Sequence, residues 1–313
     1  MKKRILIIGT RTWELTSIHL KYFVDAKANI VGFLESPTDT ITSTTSGGSI
    51  NQPIHEVAAE LDLPIIQSGD PKDPAIHEWI ANLAPDIIVV IGYQFLLPKE
   101  FLELAPLGVV NFHTSLLPRH CGRHPGFWTI WYGDKYSGMT VHQMDEGLDT
   151  GAVLYRNLVP VENGDTVDSL YQRIWNHDKE LVEMFLNELE SKDVLGDPSV
   201  LEELDDYSYN YVPSEQDFEL DFRYDAQTNA NRCSMKPGAF YVTVDGMKVI
   251  PTKYHVLKEP IDKRNFKIQT PYIYKDWVVY MTSNGWFAIE EVEILGETHT
   301  GAAWATKAKR IAS

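Results

Sequence analysis

The feature that most constrains the fold is an alternation, through the first half of the chain, of short β-branched runs and amphipathic stretches. The apolar runs at residues 5–8, 29–34 and 86–92 have the length and composition of buried strands. The stretches between them, such as residues 17–26 and 75–83, carry apolar residues at helical spacing. This order predicts an α/β fold with a doubly wound, Rossmann-like parallel sheet. Functional groups of such sheets gather at the carboxyl ends of the strands.

The last third of the chain has a different pattern, in which short apolar runs are separated by turn signals such as Asn284-Gly285. The runs are residues 239–244, 247–251, 277–281 and 286–294. Before them, residues 191–214 are polar and contain Gly and Pro, as expected of a linker. We therefore predict a catalytic domain over residues 1–200 and a small, OB-like β domain over residues 201–313.

Composition limits the partners of the chain. Its 44 Asp and Glu residues outnumber its 28 Lys and Arg residues, giving a formal net charge of −16, which disfavours ligands held through a phosphate backbone. No apolar stretch reaches the length of a membrane span. Cys121 and Cys233 form neither a disulfide nor a zinc pattern. We expect a cytoplasmic protein with no nucleic-acid partner, no membrane partner and no metal.

The most informative segment is Val110-Asn-Phe-His-Thr-Ser-Leu-Leu-Pro118. Its strand presents Asn111 and His113 on one face, because side chains two residues apart in a strand point the same way. The later segment Thr140-Val-His-Gln-Met-Asp-Glu-Gly-Leu-Asp-Thr-Gly151 ends in an acidic turn that can bring Asp149 over the same strand ends. An amide, an imidazole and a carboxylate together suit acyl transfer, which needs an oxyanion donor, a proton carrier and a group that orients it.

Each of these residues taken alone also has a purely structural interpretation. Asn111 could cap a turn, His113 could be a hydrogen-bonded core histidine, and Asp149 could be the acid of an Asx-turn. The four histidines between positions 113 and 142 do not predict a metal site, because Gly122 and Pro125 prevent the single helix that would align two of them. The combination of the three groups favours a catalytic role over these structural ones.

An ordered set of motifs over residues 108–151 resembles the folate-dependent formyltransferase family. The motifs are Asn-x-His-x-Ser-Leu-Leu-Pro from residue 111, Gly-Arg-His-Pro from residue 122, Gly-x-Thr-x-His from residue 138 and Asp-x-Gly-x-Asp-x-Gly from residue 145. The resemblance implies the formyltransferase fold, with Asn111, His113 and Asp149 as the catalytic residues. It also implies 10-formyltetrahydrofolate as co-substrate.

The resemblance extends to both sides of these motifs. The segment Val90-Ile-Gly-Tyr-Gln-Phe-Leu-Leu-Pro98 is similar to the pterin-binding strand and loop of the family, whose backbone groups bind the heterocycle. The folate-binding residues that it implies, with those of the facing turn, are Gln94, Phe95, Leu97, Met144, Asp145 and Gly147. The region after residue 209 resembles the entry into the C-terminal β domain of methionyl-tRNA formyltransferase and its sugar-modifying relatives.

Two features of the sequence limit the choice of the molecule that accepts the formyl group. Gly122-Arg-His-Pro125 resembles the branch that modifies nucleotide sugars, and residues 35–53 contain no Lys or Arg, unlike the basic loop of the transfer-RNA enzymes. We expect a homodimer that formylates a nucleotide-linked amino sugar, an amino-dideoxyhexose of surface polysaccharide such as lipopolysaccharide O-antigen. The candidate acceptor-binding residues are Arg11, Thr12, Glu35 and His124. The alternatives are a methionyl-tRNA formyltransferase, a deformylase and a non-catalytic folate-binding module.

Overall fold

The computed structural model describes most of the chain. The described residues are 2–10, 14–37, 54–191, 195–196, 207–244, 246–258, 266–301 and 303–304. The α-helices are α1 (Glu14–Asp25), α2 (Ile54–Glu60), α3 (Pro74–Leu83), α4 (Lys99–Leu102), α5 (Pro125–Tyr132), α6 (Val167–Ser191) and α7 (Ala226–Met235).

The strands are numbered in chain order. They are β1 (Arg4–Thr10), β2 (Asn29–Ser36), β3 (Ile65–Gln67), β4 (Ile87–Ile91), β5 (Val109–His113), β6 (Cys121–Gly122), β7 (Tyr136–Ser137), β8 (Thr140–Gln143), β9 (Val153–Arg156), β10 (Val159–Pro160), β11 (Tyr209–Asn210), β12 (Val242–Val244), β13 (Met247–Leu257), β14 (Pro271–Tyr274), β15 (Trp277–Met281), β16 (Trp286–Ile294) and β17 (Glu297–Thr300).

A seven-stranded sheet in the order β3-β2-β1-β4-β5-β8-β9 confirms the α/β prediction. Strands β1 to β5 are parallel to one another. All five residues of β4 are buried, as expected of a strand covered on both faces. The sheet is not wholly parallel, however, because β8 runs antiparallel to β5 and to β9. The segment between β8 and β9 is a short turn without the helical crossover that parallel neighbours require.

The chain forms two compact units. The first comprises Met1–Gly126, Tyr136–Pro160 and Asp168–Tyr211 and contains the seven-stranded sheet. The second comprises Phe127–Lys135, Val161–Val167 and Val212–Ser313. Its antiparallel sheet, in the order β12-β13-β16-β15-β14 with β17 beside β16, confirms the expected β-rich C-terminal architecture. The change of unit after Tyr211 falls within the stretch 191–214 that the sequence assigns to a linker.

In the described part of the chain, no helix combines the length and the apolar character that crossing a bilayer would need.

A buried hydrogen bond between a histidine and a carboxylate joins α1 to α6 in the first unit. His19 Nε2 lies 2.9 Å from Asp178 Oδ2, and both side chains are wholly inaccessible to solvent. His19 Nδ1 donates to the Leu15 carbonyl at 2.8 Å, so both ring nitrogens face oxygen acceptors. Asn157 donates to the other Asp178 oxygen and accepts from the Met139 N–H at 2.7 Å. The network therefore ties the helices to the ends of the β8–β9 hairpin, and its contribution to stability is testable.

Replacing Asp178 by Ala should lower the free energy of unfolding by about 3–5 kcal/mol, because it leaves His19 buried without its partner. Urea unfolding followed by tryptophan fluorescence measures the change. Glu180→Ala, an exposed substitution on the same helix, is the control and should shift the free energy by less than about 0.5 kcal/mol. A loss below about 1 kcal/mol in Asp178→Ala would show that the pair contributes little.

Candidate active site

Strand β5 presents Asn111 and His113 on one face of the sheet. Phe112, between them, points to the opposite face and packs edge-on against Phe23 and Phe185, with ring centroids 5.9 and 5.7 Å away. This aromatic cluster fixes which way β5 faces, because a shift of one residue would exchange the two faces. The apolar packing below the sheet thus turns the amide and the imidazole to the other side.

Asp149 reaches the same place from the turn after β8. Its backbone has a φ of 54°, in the left-handed region that Asp and Asn tolerate better than most residues. Its Oδ2 accepts a hydrogen bond of 2.8 Å from the Gly122 N–H. Gly151 closes the turn, where a Cβ would overlap the Gln143 carbonyl. The glycine of the motif is therefore required by close approach of two backbone segments.

The three predicted catalytic groups lie together and are largely shielded from solvent. His113 Nδ1 is 3.7 Å from Asp149 Oδ2, and the two side chains are 10% and 9% exposed. This separation is an ion-pair distance, longer than a hydrogen bond. His113 Nε2 donates to the His120 carbonyl at 3.0 Å. The ring is therefore anchored at Nε2, and Nδ1 is the nitrogen left facing the carboxylate.

His142 is a fourth member of this cluster; the sequence predicts it only as the histidine of the Gly-x-Thr-x-His motif and disfavours it as a metal ligand. It lies directly opposite Asn111 in the antiparallel pairing of β5 with β8. Its Nδ1 donates to the Gln143 carbonyl at 3.2 Å, which leaves Nε2 to accept from Asn111 Nδ2 at 3.1 Å. Nε2 is also 3.7 Å from Asp149 Oδ1. The signal in the sequence is its place in a strand that also leads into the Asp149 turn.

The protonation of His142 follows from its burial. Its side chain is 1% exposed, and burial, with a smaller contribution from the charge of His113, lowers its pKa to about 4 against the favourable effect of Asp149. The ring is neutral near pH 7. A neutral ring keeps Nε2 free to accept from Asn111, so burial of one histidine fixes the orientation of the neighbouring amide.

Cys121 and His124 lie in the loop that carries Gly122. Burial, and secondly the charge of Asp149, raises the pKa of the Cys121 thiol to about 11, so this sulfur is a neutral thiol and not a nucleophile. Burial, with the nearby charge of Arg123, lowers the pKa of His124 to about 4. Both groups are therefore uncharged at neutral pH.

The residues expected to bind folate fall into two adjacent segments. Leu97 is buried, and its side chain and that of Met144 contact the same apolar cluster, so the loop after β4 lies beside the turn after β8. Gln94 Nε2 is buried and has no hydrogen-bond partner within the described part of the chain. Asp145 closes its own turn, because its Oδ1 accepts from the Gly147 N–H at 3.0 Å and from the Thr150 hydroxyl at 2.7 Å. Phe95 packs against Tyr93, with ring centroids 5.3 Å apart.

The residues expected to bind the acceptor are placed differently. Glu35 lies at the carboxyl end of β2, buried, and accepts from Gln67 Nε2 at 3.4 Å. β2 is three strands from β5 in the sheet, which corresponds to about 14 Å at the usual strand spacing. His124 is half-buried in the loop before α5. Arg11 and Thr12 lie outside the described residues.

Taken over the residues that the structure describes, no group of three or more His, Cys, Asp and Glu side chains is arranged to hold a metal ion. The arrangement can instead polarise a carbonyl through an amide N–H and exchange protons through an imidazole next to a carboxylate.

Comparison with known proteins identifies the family. A family model described as "Formyl transferase" matches residues 3–185, which is more than half of the 313-residue chain. The match includes β1 to β9 and every residue of the cluster around His113.

Solved structures share the fold. WlaRD, a sugar 3N-formyl transferase solved in the presence of dTDP and 5-N-formyl-THF, matches with a TM-score of 0.60 and 14% identity over 95% of this chain and 99% of its own. The N-formyltransferase of Helicobacter canadensis, in complex with folinic acid and dTDP-3-aminofucose, matches with a TM-score of 0.59 and 15% identity. The match covers 92% of this chain and 98% of its own. Glycinamide ribonucleotide transformylase 1 of Geobacillus kaustophilus matches with a TM-score of 0.50 and 25% identity, over 61% of this chain and 100% of its own.

The lowered pKa of His142 predicts a pH dependence of stability. The unfolded chain takes up a proton at His142 near pH 6.5, whereas the folded chain binds it only near pH 4. The stability that the neutral, buried ring contributes is therefore present above pH 6.5 and is lost as the pH falls toward 4. His142→Gln keeps an acceptor for Asn111 but does not titrate. The unfolding free energy of His142→Gln should therefore fall less steeply between about pH 6.5 and 4.5 than that of the wild type. The two slopes should differ by up to about 1.4 kcal/mol per pH unit.

Urea unfolding of the wild type and of His142→Gln across this range gives the two slopes. His177→Gln, at an exposed position on α6, is the control and should leave the slope unchanged. Equal slopes in the wild type and His142→Gln would contradict the protonation assigned to His142.

Proposed function

Because the chain belongs to the formyl transferase family, we propose that it transfers a formyl group from 10-formyltetrahydrofolate to the primary amine of a nucleotide-linked amino sugar. The observation that carries the proposal is the convergence of the Asn111 amide, the His113 imidazole and the Asp149 carboxylate at the end of β5. These are the groups that acyl transfer between two nitrogens needs.

The reaction begins when the lone pair of the amine attacks the formyl carbon and the carbonyl electrons move to oxygen. One N–H of Asn111 is held by His142, which leaves the second N–H to donate to the developing oxyanion. The His113 ring can add a second stabilising contact from Nδ1 when that nitrogen carries a proton, because its Nε2 is held by the His120 carbonyl. Both donors are held before the substrate arrives, so little reorganisation accompanies the reaction.

The proton then moves from the attacking nitrogen to the departing folate nitrogen. His113 Nδ1 and Asp149 Oδ2 are 3.7 Å apart, a gap across which a carboxylate can stabilise an imidazolium and accept or return a proton. The carbon–nitrogen bond to the folate breaks as its nitrogen is protonated. The products are the formamide and tetrahydrofolate, so every proton and electron pair is accounted for by the two substrates.

The folate is proposed to bind along the loop after β4 and the turn after β8. The buried Nε2 of Gln94, without a protein partner among the described residues, offers a donor to the heterocycle. The side chains of Leu97 and Met144 are committed to the apolar cluster, so these residues would contribute backbone groups and an apolar wall. The ligands in the structures of WlaRD and the Helicobacter canadensis enzyme support this choice of co-substrate.

Three features support a nucleotide sugar as the acceptor. The structures solved with dTDP or dTDP-3-aminofucose match this chain over more than nine-tenths of its length, whereas the glycinamide enzyme matches over 61%. The formal charge of −16 disfavours a large polyanion, while a diphosphate needs only one or two basic contacts. Glu35 lies on the same sheet edge at about 14 Å from β5, a span that suits an extended ligand with its amine at His113. The homodimer, the cytoplasmic location and the roles of Arg11, Thr12, Glu35 and His124 stay predictions.

The substitutions His113→Asn and Asp149→Asn should each lower kcat by about a hundredfold or more, because each removes a group that stabilises charge in the transition state. Folate affinity, measured by fluorescence titration, should remain within about threefold of the wild type. His177→Asn, the same change at an exposed position on α6, should leave kcat unchanged. Retention of more than about a tenth of the wild-type rate, a loss under ~1.4 kcal/mol, would refute the assigned roles.

An acceptor panel tests the proposed substrate. The enzyme and 10-formyltetrahydrofolate are incubated with nucleoside-diphosphate amino sugars, glycinamide ribonucleotide, initiator transfer RNA or no acceptor, and tetrahydrofolate release is followed by absorbance. We expect turnover only with the nucleotide amino sugars. Turnover with transfer RNA would identify the alternative acceptor, and release without any acceptor would identify a deformylase. Folate binding without release under any condition would indicate a non-catalytic module.

A further inference from the structure

The loop of residues 120–122 contacts two of the three proposed catalytic side chains through its backbone. The His120 carbonyl accepts from His113 Nε2 at 3.0 Å, and the Gly122 N–H donates to Asp149 Oδ2 at 2.8 Å. His120 and Gly122 have φ values of 61° and 97°. A left-handed backbone is costly for a residue such as His and persists only where its surroundings hold it. The position of the catalytic groups therefore depends on whatever holds this loop.

A short segment from much later in the chain holds the loop. We call residues 208–210 the strap. It runs parallel to β6, with the Cys121 N–H donating to the Ser208 carbonyl at 2.9 Å and the Arg123 N–H donating to the Asn210 carbonyl at 3.1 Å. A Cβ on Gly122 would overlap the Asn210 carbonyl, so the glycine permits this close approach.

Two side chains of the strap bind His120 directly. Ser208 Oγ accepts from the His120 N–H at 2.8 Å, and Asn210 Nδ2 donates to His120 Nδ1 at 3.0 Å. Asn210 is 1% exposed and His120 is 2% exposed. Tyr207 and Tyr209, at the alternate positions, are exposed, as expected of an extended segment with one inward face. The inward face of the strap is thus polar, with Asn210 buried and Ser208 half-buried, and both side chains bind one residue of the loop.

We propose that Ser208 and Asn210 are positioning residues for formyl transfer, which act on His113 and Asp149 through the backbone of residues 120–122. The proposal rests on the function proposed above. Asn210 fixes the ring of His120, Ser208 fixes its N–H, and the two bonds leave the His120 carbonyl aimed at His113. In this proposal neither residue contacts a substrate. Loss of either bond should therefore lower turnover and leave the affinity for both substrates intact, because catalytic geometry tolerates only small displacements.

The test compares Asn210→Ala, Asn210→Asp and Ser208→Ala with the wild type in formyl transfer. Asn210→Ala and Ser208→Ala should lower kcat by about 10- to 100-fold, the range for partners that orient a functional group. The KM values of both substrates should stay within about twofold. Asn210→Asp should recover part of the loss, because its carboxylate keeps the shape of Asn210 and can accept from His120 when the hydrogen of that ring moves to Nδ1.

Nuclear magnetic resonance of the His113 ring provides a readout that does not require activity. In the wild type the Nε2–H held by the His120 carbonyl should exchange slowly with solvent, and in Asn210→Ala it should exchange at least tenfold faster. Asn187→Ala, at an exposed position on α6, is the matched control and should change neither kcat nor the ring signal. If Asn210→Ala does not fold, Ser208→Ala and Asn210→Asp decide the question.

The outcomes separate the two proposals. Wild-type kcat and an unchanged ring signal in the strap variants would overturn the positioning role. A lower kcat with an unchanged His113 signal would overturn it too, because both strap side chains bind His120, whose carbonyl holds the His113 ring. If the wild type transfers no formyl group to any acceptor, the proposed function fails, and the His113 signal alone decides whether the strap positions the ring.

Discussion

The antiparallel pairing of β5 with β8 is the contact on which the geometry of the site depends. It places His142 opposite Asn111, so that an amide and a neutral imidazole meet at hydrogen-bond distance. Gln143, the last residue of β8, lies opposite Val110 near the start of β5, and the turn that follows brings Asp149 Oδ2 back to 3.7 Å from His113 Nδ1.

Burial and backbone contacts together define the chemical state of the site. His142 is neutral because it is buried, and its neutrality fixes the Asn111 amide. His113 is anchored by a carbonyl at one nitrogen and faces a carboxylate at the other. The two histidines are neighbours in different surroundings. One accepts a hydrogen bond that orients an amide, and the other faces a carboxylate, where we propose that it carries protons. Their surroundings account for the difference, since the side chains are chemically identical.

The loop of residues 120–122 and the strap lie behind the site and hold its side chains in position. Residues 120–122 adopt a backbone conformation that requires support, and residues 208–210 supply it through hydrogen bonds to both backbone and side chain. The family model ends at residue 185, before the strap begins. A catalytic domain can therefore keep its chemical groups while the segment that stabilises them lies in a later part of the chain. Variation in such segments could adjust turnover without a change in the residues that touch the substrate.

The sequence by itself determined the fold class and predicted the candidate reacting groups. The β-branched runs at β1 and β4 could only be buried strands, and the spacing of Asn111 and His113 placed them on one face, because both properties follow from local periodicity. Tertiary structure alone decided the direction of β8, the role of His142 and the contact between Asn210 and His120. These depend on which segments become neighbours across 31 and 90 residues of chain. No local pattern encodes such pairings, since they arise from the packing of the whole unit around a common core.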